Sequence, residues 1–155
     1  MDIKSLADSE LMILRLEIEK EMISRSLPFS VGEFGEKEVI KHFNNTPGLP
    51  NLLAAPPGAK NVDAISREGD RYSIKSVLKA KKTGTIYPDT QNPNKQLFEF
   101  ILVVMLSPEF QLDAIYRLSW DQFTNARAWD KRMNAWYIPV SRTRLNSTEC
   151  IYKRD

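Results

Sequence analysis

Asp63, Ser73 and Lys75 fall in one stretch, Gly58–Lys75, that reads as two short strands joined by a turn. Val62–Ser66 has strand composition, and Glu68-Gly69-Asp70 carries turn chemistry. In Arg71–Val77, Tyr72 and Ile74 alternate with Ser73 and Lys75. Side chains two apart on a strand share a face, so Ser73 and Lys75 point together, and a hairpin brings that face beside Asp63. An aspartate and a lysine presented from paired strands suit metal-assisted hydrolysis of a phosphodiester. The carboxylate holds a hard cation, and the ammonium offsets negative charge developing on phosphate. Ser73 contributes only a neutral hydroxyl. The pair is therefore one carboxylate short.

The surrounding charge fits that chemistry. From Lys60 to Lys82 there are seven basic residues (Lys60, Arg67, Arg71, Lys75, Lys79, Lys81 and Lys82) against three acids, a local +4 in a chain whose net charge is only +2. Two readings stand: a solvated charged hairpin, or a rim that faces phosphates and releases counterions from a polyanion. With one cysteine and one histidine among 155 residues, the composition excludes an internal disulfide, a cysteine-rich zinc site and a histidine-rich metal site. It also argues against a Ser-His-Asp triad. Hydrophobic content of 42% and charged content of 27% describe a single globular domain, 1–155. No apolar run reaches membrane-spanning length and the amino terminus lacks a signal-peptide profile, so the expectation is a cytoplasmic protein with no membrane partner.

The elements that must position these residues are legible in part. Ile3–Leu27 has helical periodicity ended by Pro28, with Asp8-Ser9 as an alternative start. Residues 1–30 thus form a helical arm, either a dimerisation element or a helix packed on its own domain, ahead of a core at 31–155. Gly32–Phe43 opens a second helix, where Glu33 and Glu36 either reach a common site or serve only the helix dipole. Asn44–Ala59, with four prolines, reads as a loop. Lys79–Asn94 is a long excursion in which Tyr87, Asp89, Gln91 and Asn92 either meet base edges or belong to an ordinary surface loop. Phe98–Leu106 reads as a buried central strand and Leu112–Leu118 as another, and Ser119 with Gln122 forms a capping box for a short helix. The order implies an α/β fold, a mixed sheet flanked by helices.

Asn61-Val-Asp-Ala-Ile, Tyr72-Ser-Ile-Lys-Ser, Asn92-Pro93, Asp113-Ala-Ile-Tyr-Arg-Leu118, Ile138-Pro-Val and Ile151-Tyr152 together carry a family likeness. From about Val31 to Tyr152 the chain resembles the PD-(D/E)xK, restriction-endonuclease-like nuclease superfamily, and within it the small type II restriction endonucleases. The resemblance implies that fold, and Mg2+ (or Mn2+) as cofactor. It implies metal binding at Asp63 and the Ile74 carbonyl, and catalytic roles for Lys75 and for the position of Ser73. In relatives with serine there, a neighbouring glutamate replaces the missing acid; Glu36 is the first candidate, with Glu33 and Glu99 behind it. The family places an acid near DNA at Glu33 and a base-reading asparagine at Asn134. The recognition segment falls on Ile86–Gln91, which lacks the histidines of its restriction-enzyme relatives. With the rim lysines Lys79, Lys81 and Lys82, these positions outline a surface for double-stranded DNA. The implied partners are a second copy in a homodimer and a cognate DNA methyltransferase. The expected activity is site-specific endonucleolytic cleavage; the alternative is a DNA-binding or interaction module on the same fold that no longer cleaves.

Overall fold

In the computed structural model, which describes residues 1–155, the amino-terminal helix is shorter than its periodicity predicts. A 3-10 turn at Ile3–Ser5 precedes α1 (Asp8–Ser24). Glu10 folds back to accept the Ala7 N–H at 2.7 Å, so the helix is capped at Ala7 rather than at Asp8 or Ser9. Ser26, at φ 54°, turns the chain out of the helix before Pro28 is reached. No residue of α1 is buried. Met12, Ile13, Leu16 and Ile23 all stand exposed, so the helix is not packed into the core of its own chain.

The second helix, α2 (Val31–Asn45), begins where Ser30 Oγ accepts the Glu33 N–H at 3.1 Å. It buries Gly35, Val39 and Phe43 one turn apart. The proline-rich segment after it contains a short strand that its composition hides, β1 (Leu52–Ala54). The Asn44 side chain holds it, accepting from Leu52 N–H and donating to Leu52 C=O. The charged hairpin forms as expected from β2 (Ala64–Ser66) and β3 (Arg71–Leu78), with Ala64 opposite Tyr72. Gly69 closes the turn at φ 87°, and Ser66 Oγ accepts the Asp70 N–H. Then come β4 (Phe100–Leu106), β5 (Leu112–Ser119) and α3 (Trp120–Ala126), with the Ser119–Gln122 capping box in place. The tail adds β6 (Ala128–Asp130), β7 (Ala135–Tyr137), α4 (Arg142–Leu145) and β8 (Glu149–Lys153).

The result is a mixed α/β fold around a six-stranded sheet ordered β1-β2-β3-β4-β5-β8, while β6 and β7 pair as a separate hairpin. Only β3 and β4 run parallel, with Ser73 beside Ile101 and Lys75 beside Val103. Both sheet faces are covered, which explains the continuous apolar run in β4. On one face Tyr72, Ile74, Leu102, Val104 and Ile115 pack against Val39 and Phe43 of α2. On the other, Val77, Ile101, Val103 and Leu118 lie under Phe123 of α3, with Phe98, Ile86 and Ile138. The Lys79–Asn94 excursion is partly anchored: Ile86 and Trp136 exchange backbone hydrogen bonds at 2.7 and 2.9 Å, and Thr83 Oγ1 accepts the Ile138 N–H.

Candidate active site

β2 pairs with only the first part of β3. Past Tyr72, the edge of β3 that faced β2 is open, and Asp63 takes the place a neighbouring strand would have filled. Its backbone N–H donates to Tyr72 C=O at 2.8 Å, and its Oδ2 accepts the Ile74 N–H at 2.7 Å. A residue in a strand directs its N–H and C=O to the same side. The Ile74 carbonyl therefore points to the same open edge as the Asp63 carboxylate, as expected for two oxygen ligands of one ion.

Glu36 approaches from α2. Its carboxyl is half-buried and titrates above the ordinary carboxylate range of 4.5. Burial is the main cause, followed by the negative charges of Asp63 and Glu33, while the Lys75 ammonium pulls the other way. A hydrogen bond with the Asp63 side chain adds a smaller push in the same direction. Two acids and one lysine are thus brought together from three segments: α2, the residue before β2, and β3. Ser73 is on the Lys75 face of β3, beside Ile101, and only 1% exposed, so its hydroxyl is closed off from solvent.

The other candidates are distributed differently. Glu99 is engaged elsewhere: Arg71 holds both of its carboxylate oxygens at 3.0 and 2.8 Å, at the start of β3 and away from Lys75. This ion pair also keeps its carboxyl below the usual range. Lys82 is not a free rim lysine: it pairs with Asp130 at 3.6 Å and lies over the Tyr137 ring. Lys79 and Lys81 are exposed. Asp89 caps its own loop, accepting from Gln91 and Asn92 N–H, which holds its carboxyl low. Tyr87, Asp89 and Asn134 nevertheless line a single open cleft of about 510 Å³, joined by Lys60. Asn134 takes φ 50° at the β6–β7 turn, and Asn92 is exposed beside the cleft-lining loop.

No protein-family model and no curated protein matches this chain.

The donor set fits a hard divalent cation. No group of three or more Asp, Glu, His or Cys side chains converges. Magnesium, however, is commonly held by one or two carboxylates, with water and substrate phosphate completing its shell. Asp63, Glu36 and the Ile74 carbonyl supply that number of hard oxygens. Gly35 of α2, a glycine whose missing side chain permits close approach, rests directly on Ser76, beside Glu36 and Lys75.

Proposed function

We propose that this chain is a metal-dependent endonuclease of double-stranded DNA, related to type II restriction endonucleases of the PD-(D/E)xK superfamily. The observation that carries this reading is the convergence of Asp63, Glu36 and Lys75 at the open edge of β3, with the Ile74 carbonyl directed to the same place. Asp63 and Glu36 would hold Mg2+ or Mn2+. The bound ion supplies Lewis acidity toward a phosphate oxygen and lowers the pKa of a water. Lys75 has no carboxylate within ion-pair distance, so its ammonium is free to offset charge developing on the scissile phosphate. Lys79 and Lys81 meet flanking phosphates, and the cleft lined by Tyr87 and Asn134, together with exposed Glu33 and Asn92, faces the bases.

Exposed α1 supports a homodimer, with its apolar side chains covered by a second copy, and a two-fold symmetric DNA site follows from such a dimer. A restriction enzyme also calls for a methyltransferase that protects host DNA, and cytoplasmic residence goes with that role. No helix is long and apolar enough to cross a membrane.

Supercoiled plasmid incubated with Mg2+ or Mn2+ tests the reading. Wild type is expected to nick or linearise it, and Asp63→Ala and Lys75→Ala are expected to lose at least about a hundredfold in rate, the scale of removing one electrostatic contributor. The buried serine favours a second reading, a duplex-binding module that does not cut. A gel shift without cleavage under every metal tried would select it.

A further inference from the structure

Gly35 and Ser76 meet where α2 crosses β3. A Cβ placed on Gly35 would lie 1.7 Å from Ser76 Oγ and 2.6 Å from Ser76 Cβ, but 3.8 Å from Ser76 Cα. Gly35 sits inside the helix and has no positive φ, so its backbone conformation does not call for glycine. The space does. A glycine within a helix is itself unfavourable, and Ser76 Oγ is a buried polar atom with no hydrogen-bond partner, which is a second unfavourable term. Two unfavourable residues thus share one contact. Gly35 directly precedes Glu36, and Ser76 directly follows Lys75, so the contact ties together the two segments that bring these charges to Asp63.

We propose that the Gly35–Ser76 contact is a positioning device that sets how far Glu36 reaches toward Asp63 and Lys75, and through that the affinity of the site for a divalent cation. This rests on the reading of Asp63 and Glu36 as metal ligands. Rotation of the Ser76 hydroxyl can relieve the 1.7 Å approach, but the 2.6 Å approach to Ser76 Cβ stays, so a side chain at Gly35 must move α2 by about 0.8 Å (3.4 less 2.6) to reach an ordinary contact. Functional constellations tolerate only about 0.5 Å. Ser76 enters the same way from the strand side, its hydroxymethyl group filling the space left by the missing Cβ.

The test is Mn2+ binding to DNA-free protein, followed by electron paramagnetic resonance, with circular dichroism to confirm folding. Gly35→Ala is expected to weaken Mn2+ binding about 10–100-fold, as loss of a ligand-orienting partner does. Metal-free affinity for duplex DNA should stay unchanged. The swap Gly35→Ala/Ser76→Gly clears both the 1.7 Å and the 2.6 Å contacts and should restore most of the binding. Gly35→Ala/Ser76→Ala leaves the 2.6 Å contact and should restore less. A folded Gly35→Ala protein with wild-type Mn2+ affinity overturns the proposal, and so does a folded swap without recovery. Should Gly35→Ala not fold, Ser76→Thr, which adds one methyl to the same contact, carries the test: weakened binding supports the proposal and unchanged binding overturns it. Wild type that binds no Mn2+ at all removes the metal-site reading itself, a result distinct from these.

Discussion

The carboxyl of Glu36 is where the proposed chemistry and the fold are in conflict. Its folded-state pKa lies above its unfolded value because burial and the Asp63 charge disfavour the ionised form. Ionising it therefore weakens the fold. The penalty is absent below the unfolded value near 4.5, grows as pH rises, and is complete above the raised folded value. Glu36→Gln should accordingly raise Tm at pH 7 and lose that advantage in acid, while abolishing Mn2+ binding; a neutral-pH Tm below wild type would contradict the conflict described. Asp63 and Lys75 stand out in the sequence by their spacing: alternation in β3 puts Lys75 on the side of Ser73, and the hairpin turn returns Asp63 alongside that strand. Glu36 was legible only as one of three acids. Helix packing decides among them, and packing is not written in local sequence.

Long-range pairing decided more than local pattern at the level of elements. The Ser119–Gln122 capping box and the turn at Gly69 involve neighbours in the chain, and both stand as their residues predict. The strands β1, β6 and β7 have three residues each, too few to show alternation, and β1 was hidden in a segment read as loop. The β6–β7 hairpin is held by its own cross-strand pair, Trp129 against Trp136, and from outside by the exchange between Ile86 and Trp136. Glu99 illustrates the same limit, since its partner Arg71 is a neighbour only once β3 and β4 lie side by side. That ion pair is partly exposed, so Glu99→Gln should cost only about 0.5–1 kcal/mol in chemical denaturation. Mn2+ affinity should not change; a marked loss would return Glu99 to the list of ligands.

At the scale of the whole molecule, α1 is the segment its own domain does not use. Removing residues 1–25 should leave the core melting close to its usual temperature, because no α1 residue is buried. The expected change is in mass, from dimer to monomer in sedimentation equilibrium. An intact chain that sediments as a monomer at micromolar concentration would end the dimer reading. The single parallel pair in the sheet has a different consequence. To lie parallel, β3 and β4 need a crossover, and here the crossover is the same segment that carries Tyr87, Asp89 and Asn92. Its anchors at Thr83 and Ile86 come early, and Phe98 re-enters the core at the far end. Between them, length and sequence are free to drift without touching the strands, and doubling a flexible loop costs only about 0.6 kcal/mol. A library of insertions between Pro88 and Lys95 should melt near wild type while its members diverge in the DNA sequences they prefer. On the endonuclease reading, sequence preference in this scaffold can then evolve separately from the proposed cutting site.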